Sequence, residues 1–409
     1  MRCIAKEMAC RAKPHIMTAR STRSVPDYEQ RGVSAFFKRR VRTVLERADI
    51  EIDGPRPTDI RVHDQRFFSR AGLEGSMGMC ESYMDGWWDC DSLDSMFVRL
   101  LQTDAGKAVH DWRSMLLTLR TRLFNLQTRA GAYRIGERHY DLGDELFESM
   151  LDSRMMYSCG YWRAAENLEA AQEAKLELVA HKLDLQPGMR VLDIGCGWGG
   201  AAQYLAEHHG VEVVGVTVSR RQAEHARLRN AGLPVDIRLQ DYREFAAESV
   251  PARRFDRAFS IGMFEHVGHR NYRRYFDVVR TCLKPDGLFL LHAIGRNTST
   301  THTDPWIARY IFPRSNLPSI RQVGAAIEGL FVMEDWHNFG ADYDRTLLAW
   351  HRNFESRCES LPSRYDERFR RMWRLYLLMC AAGFRARHLQ TWQLVLSPNG
   401  VDGGYVAPR

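Results

Sequence analysis

The segment RVLDIGCGWGG, residues 190–200, constrains the fold of this chain more than any other stretch. Arg190–Ile194 is an apolar run carrying one carboxylate, the pattern of a buried strand. Gly195, Gly197, Gly199 and Gly200 follow and open a helix. Glycines at such a junction let backbone N–H groups approach a ligand at the helix N-terminus. A helical stretch, Glu166–Leu183, and a Gln186-Pro187-Gly188 turn come before the strand. From about residue 136 to the end, strands and helices alternate at the spacing of a doubly wound, Rossmann-like α/β sheet.

The position of Asp193 narrows the ligand. A carboxylate on the last residues of this strand suits the amino acid moiety and sulfonium of S-adenosylmethionine better than a pyrophosphate. The expectation is therefore a class I methyltransferase fold rather than a nucleotide dehydrogenase. The second strand, Val211–Thr217, ends in VTVSRRQ, with no acidic residue for ribose hydroxyls, so Thr217, Ser219 and Gln222 are left to bind them. The third, Val235–Leu239, leads into QDYRE, where Asp241 can accept from the adenine amino group and Tyr242 can stack on the ring. Ligands of such folds collect at this C-terminal edge. The fourth strand, FDRAFSIG, runs into MFEHVGHRNYRRYF, which puts Glu265 and His266 at the edge near the methyl group. A buried Glu is costly unless it is paired or used.

Composition bounds the rest. With 409 residues, 44% apolar and 27% charged, the chain has room for two or three globular domains. Lys and Arg outnumber Asp and Glu by 58 to 51, a net +7. The excess is mild and dispersed, and no basic stripe with aromatics for flipped bases accompanies it, so no nucleic acid is expected as partner. The nine cysteines form no CxxC pair, so neither a metal site nor a disulfide framework is indicated. No apolar stretch approaches the ~20 residues of a membrane-spanning helix. A soluble protein of a reducing, cytoplasmic compartment is expected.

Residues 1–27 read as a mobile basic tail, 28–104 as a small N-terminal domain, 105–135 as a helical linker and 136–409 as the catalytic domain. In the small domain Phe36–Ala48 is patterned as a helix, with Phe37, Val41, Val44, Leu45 and Ala48 on one side and Lys38, Arg39, Arg40 and Arg42 on the other. IEIDGPRPTDIRV predicts two short strands around a Gly-Pro turn.

Longer motifs carry a resemblance. They are GSMGMCESYMDGWWDCDSLD, HYDLGDELFESMLDSRMMYSCGYW, VLDIGCGWGG, DYREF, GMFEHVG, LKPDGLFLLHAIG, DPWIARYIFP, EDWHNFGADYDRTLLAW and CAAGFRARHLQTWQ. Through them the chain resembles bacterial cyclopropane fatty acyl phospholipid synthases, over roughly residues 28–405. The resemblance implies methylene transfer from S-adenosylmethionine to a cis double bond of an unsaturated acyl chain in a phospholipid bilayer, with bound bicarbonate as the base. It places the bicarbonate on Cys159, Glu265, His292, Ile294 and Tyr343. The cofactor falls on Tyr157, Ser158, Gly195, Gly197, Thr217, Gln222, Asp241 and Tyr242, to which the glycine-rich segment adds Asp193 and Gly199. Cys380 matches the position often regarded as the family's active-site cysteine. In an apolar helical run, and with no covalent adduct in the scheme, it reads as a wall of the acyl channel. The small domain resembles a module implied to self-associate into a homodimer and to help dock on the inner face of the cell membrane. His269 and Arg270 stand where the family commonly has Pro-Lys. Relatives within the same class leave a methyl branch or methylene group instead of a ring.

Overall fold

The computed structural model describes residues 27–103, 142–248, 254–301 and 303–409. The expected tail up to residue 26 and the expected linker lie outside them. The N-terminal module begins with α1 (Asp27–Arg47), whose Leu45 is buried while Arg39, Arg40 and Arg42 face solvent. It continues through β1 (Arg61–Val62), α2 (Arg66–Glu74), α3 (Ser76–Met84), β2 (Trp88–Asp89) and α4 (Leu93–Gln102). The hairpin expected around Gly54-Pro55 does not form. Ile52 and Ile60 meet only in an isolated bridge, and β1 pairs instead with β2. The reason is Asp59. Its buried carboxylate accepts the N–H groups of Glu51 and Arg56 and the Arg56 guanidinium, so the turn is satisfied without a strand ladder.

The larger part follows in chain order. It comprises α5 (Asp144–Met150), α6 (Leu168–Lys182), β3 (Arg190–Ile194), α7 (Gly200–His209), β4 (Glu212–Thr217), α8 (Arg220–Arg229), β5 (Val235–Leu239) and α9 (Tyr242–Glu248). Then come β6 (Phe255–Ile261), α10 (Tyr272–Cys282), β7 (Leu283–Arg296), α11 (Pro305–Tyr310), α12 (Ile320–Ile327), β8 (Val332–Asn338), α13 (Ala341–Arg357), α14 (Glu367–Arg385) and β9 (Leu389–Ser397). The sheet order is β5-β4-β3-β6-β7-β9-β8, parallel except that β9 runs antiparallel to both neighbours. From β3 the chain winds outward through β4 and β5, then returns to place β6 and β7 on the other side. The order therefore reverses between β3 and β6, and a crevice opens there at the strands' C-terminal ends. Gly199, at φ 81°, caps α7 in the left-handed region. A Cβ on Gly200 would fall 2.0 Å from the Arg154 carbonyl, so only glycine allows this close approach.

One apolar cluster joins the module to the helical layer, from Phe67 and Trp88 through Trp306, Trp350 and Trp373 to Tyr343 and Phe384. The acidic patch of the small domain is its polar border. Asp85 pairs with Arg70 and Arg368, Asp89 with Arg371, and Asp94 with Arg385. Arg371 also donates to the carbonyls of Tyr83 and Trp88 and stacks on the Tyr83 ring. Arg371→Ala strands two carbonyls and a carboxylate, so it is expected to cost about 2–4 kcal/mol. Calorimetry would register this as a melting temperature several degrees lower; an unchanged melt would mean that the apolar contact alone holds the module. Among the described residues, no helix is long and apolar enough to cross a membrane.

Candidate active site

A pocket of about 1340 Å³, its open mouth included, occupies the crevice between β3 and β6. Tyr157, Ser158, Asp193, Gly195, Gly197, Thr217, Gln222, Asp241 and Tyr242 all line it. Two expected residues do not. Gly199 sits behind, where a Cβ would strike Asn230 and Ala226, and it serves the turn while Gly200 faces the pocket. Ser219 is the N-cap of α8, its hydroxyl accepting the Gln222 N–H at 3.3 Å. A cap satisfies an otherwise orphaned helix donor, and that use takes the hydroxyl away from the ribose. Thr217 and Gln222 remain, 3.2 Å apart and bonded to each other. Asp241 is gripped by Arg243, whose Nε and Nη2 reach its two oxygens at 2.7 and 2.6 Å. Tyr242 is edge-on to Tyr275. Asp193 is buried, and Oδ2 has no hydrogen-bond partner among the described residues. Burial pushes its carboxyl up to about 8, against the pull of Lys175.

A second group of polar side chains adjoins this pocket. Gly262 of the pocket wall donates to the His292 carbonyl at 2.9 Å, tying the two together. Glu265, in a 3₁₀ turn after β6, is 5% exposed. Its Oε1 accepts the Ile294 N–H at 2.6 Å, and Oε2 has no partner among the described residues. Burial without a neighbouring cation pushes its carboxyl up to about 7. His292 on β7 lies with Nδ1 3.5 Å from Gln393 Nε2 and Nε2 unpartnered. Burial, then Lys175 and Lys182, holds it well below its usual value, so the ring is neutral and, with Nδ1 facing the Gln393 amide, has its N–H at Nε2. Cys159 is fully buried, its thiol pushed well up. Tyr343, in the first turn of α13, has its phenol raised by burial and by Cys159, Tyr157, Glu265 and Cys380 nearby.

Behind Tyr157 the packing turns aromatic. Its hydroxyl meets that of Tyr376 at 2.7 Å, and its ring lies 5.1 Å from Trp350 and 6.4 Å from Phe312. Cys380, one turn after Tyr376 on α14, is half-buried, and burial pushes its thiol up to about 12. A thiol so raised is not a nucleophile at neutral pH. Glycine-rich pocket, buried carboxylate and aromatic cluster thus lie side by side.

The sequence pattern of the family described as mycolic acid cyclopropane synthetase matches residues 127–394. The chain belongs to this family. It is 52% identical to the cyclopropane-fatty-acyl-phospholipid synthase of Escherichia coli (strain K12) over 367 residues, covering 90% of this chain and 94% of the relative. The cyclopropane synthase MmaA2 of Mycobacterium tuberculosis has a TM-score of 0.60 at 30% identity, over 67% of this chain and 99% of that one. The mycolic acid cyclopropane synthase CmaA1, solved with SAH and CTAB, has a TM-score of 0.59 at 30% identity, over 64% and 97%. S-adenosylmethionine is the cofactor of this cyclopropane synthase family member, and the glycine-rich pocket is the candidate for its site. The departure at His269 and Arg270 forms a separate 3₁₀ turn beyond Val267, the last pocket residue in chain order, and so leaves the lining untouched.

Three side chains around the synthase's site escaped the sequence reading. Lys175 and Gln172 on α6 are fully buried and bond to the segment carrying Tyr157 and Ser158. Gln393 on β9 stands beside His292. Lys175 left one trace, as one of only seven lysines in a chain otherwise rich in arginine.

Proposed function

We propose that the chain is a cyclopropane-fatty-acyl-phospholipid synthase, transferring a methylene from S-adenosylmethionine to the cis double bond of unsaturated acyl chains in bilayer phospholipids. The observation that carries this reading is Glu265, a carboxylate pinned through one oxygen and unpartnered through the other among the described residues, in a buried site beside the donor pocket. An alkene is a weak nucleophile, so it must be held in line with the donor methyl carbon. Its attack breaks the C–S bond and leaves a cationic centre on the acyl chain. Loss of a proton from the transferred methyl then frees the electron pair that closes the ring. A negative charge at that spot both steadies the cation and takes the proton.

Bicarbonate fits the residues present. Glu265 Oε2 and His292 Nε2 are unpartnered, and Tyr343 stands near Glu265 and Cys159. Bound there, bicarbonate would supply the base at the cationic carbon. Glu265 accepts a proton at Oε2, while neutral His292 and Tyr343 donate hydrogen bonds. Ile294 acts one step removed, because its N–H is already spent on orienting Glu265. The N-terminal module serves self-association into a homodimer and docking to the inner face of the membrane. Exposed Phe36, Arg39, Arg40 and Arg42 on α1 suit an anionic lipid surface.

The test uses S-adenosylmethionine with a trideuterated methyl group and vesicles of unsaturated phospholipid, followed by mass spectrometry of the acyl chains. Ring closure removes one methyl hydrogen, so the product is expected to retain two deuteriums. Retention of all three would mean methyl branching, and unlabelled acyl chains would remove lipid as the substrate.

A further inference from the structure

Helix α6 runs behind the donor pocket and carries three buried polar side chains: Lys182, which pairs with Asp335, and two others, Gln172 and Lys175. Both reach the same short stretch of chain, Met156–Cys159, which belongs to no helix or strand. Gln172 Nε2 donates to the carbonyls of Met156 at 3.2 Å and Ser158 at 2.8 Å. Lys175 Nζ donates to Ser158 Oγ at 3.0 Å. From the other side, Asp152 Oδ1 accepts the Met156 N–H at 2.9 Å. Side-chain bonds thus do for this stretch what a ladder does for a strand. The stretch delivers Tyr157 and Ser158 to the donor pocket and Cys159 to the group around Glu265.

A lysine with no exposed surface is expensive to keep charged, and the groups facing this one explain its presence. Asp152 and Cys159 flank it on the loop side, Asp193 faces it from β3, and His292 from β7. Asp193 in turn has Cys196 and Tyr275 near it.

We propose that Lys175 is a positioning residue for methyl transfer: it fixes Ser158, and through it the Met156–Cys159 stretch, and it supplies the buried positive charge that balances Asp193. The proposal rests on reading the pocket as the donor site. Two carboxylates, Asp152 and Asp193, stand against one lysine, so the charge is shared between the loop and the pocket wall. Burial drives the Asp193 carboxyl up and Lys175 holds it down. Without the lysine, Asp193 takes up a proton at higher pH, and a protonated Asp193 no longer attracts the cationic donor.

Titration calorimetry with S-adenosylmethionine, on the full chain without lipid and from pH 6 to 9, separates the two parts of the claim. Lys175→Met is expected to bind about tenfold more weakly at pH 7 and to recover as the pH rises, as a displaced Asp193 titration requires. Ser158→Ala keeps the charge and loses one hydrogen bond, so its affinity should fall about threefold at every pH. Affinity within twofold of the original chain across the range, in either variant, overturns the corresponding half of the proposal. Should Lys175→Met fail to give a cooperative melt, Lys175→Gln takes its place, with the same pH-dependent loss expected and a pH-independent one overturning the charge balance. An original chain that binds no S-adenosylmethionine at any pH would instead overturn the donor-site reading itself.

Discussion

Glu265→Gln is expected to lower turnover by about two to four orders of magnitude, the range for removal of a group that takes part in proton transfer, while S-adenosylmethionine affinity stays within about twofold, since Glu265 does not line the donor pocket. The substitution is nearly isosteric. The amide oxygen can still accept the Ile294 N–H, so the local fold survives and the loss falls on kcat. A carboxyl pushed up to about 7 also dictates the acid limb of the pH profile. Glu265 must be ionised to accept a proton, so activity falls as pH drops below about 7 and the limb vanishes in the variant. Stability runs the other way. A carboxyl whose folded value is raised binds its proton more tightly when folded, so the fold loses stability as pH climbs from its ordinary 4.5 to about 7. Glutamine escapes that cost, and Glu265→Gln should be the more stable protein at pH 8 by up to roughly 3 kcal/mol, with no advantage at pH 4. Thermal melts at the two pH values read this directly. Full turnover in the variant, or an acid limb unmoved by it, would take Glu265 out of the proton transfer.

The donor half of the site was legible because its signals are local. A strand, a glycine-rich turn and a helix lie within 190–200, and the residues that follow β4 and β5 reach the same edge by the fold's own rule. The second half was not legible from pattern. Glu265 alone is placed by the end of β6; Cys159, His292 and Tyr343 come from a loop, a strand and a helix spread along 185 residues of chain, and only the family's motifs picked them out. Lys175 shows the same limit more sharply. In LEAAQEAKLELVAHK a lysine reads as the solvent side of an amphipathic helix, and only packing against Ser158 buries it. Local competition explains two further differences. Ser219 was assigned to the ribose, although SRRQ at a helix start is equally a capping sequence, and the cap is what forms. In the small domain, the partner of β1 lies beyond two helices, whereas Asp59 is three residues from Arg56 and closes the turn first.

Placing a charge at Met379 is expected to abolish turnover on lipid while donor affinity stays unchanged. The argument rests on α14. Along this helix Leu375, Leu377, Ala381 and Ala382 are wholly buried, yet Met379 and Cys380 between them keep accessible surface. Cys380 is at the same time enclosed deeply enough for its thiol to be driven up to about 12. Such a pair of side chains suits the wall of an acyl channel. Tyr376, one turn earlier, points the same way and bonds to Tyr157 at the edge of the donor pocket, with Phe312 packed against both rings. An acyl chain threaded past α14 would thus bring its double bond to the donor methyl between Tyr157 and Tyr343. Desolvating an unpaired carboxylate in such a channel costs several kcal/mol, enough to exclude the chain. Met379→Asp should therefore lose transfer to vesicle lipid by at least about a hundredfold and bind S-adenosylmethionine normally. Cys380→Ser gives the contrasting readout. A wall residue replaced by one of similar size costs less than about tenfold, whereas loss of a true nucleophile would cost several orders of magnitude. Normal turnover in Met379→Asp would move the channel off α14, and an inactive, well-folded Cys380→Ser would restore the thiol to the chemistry.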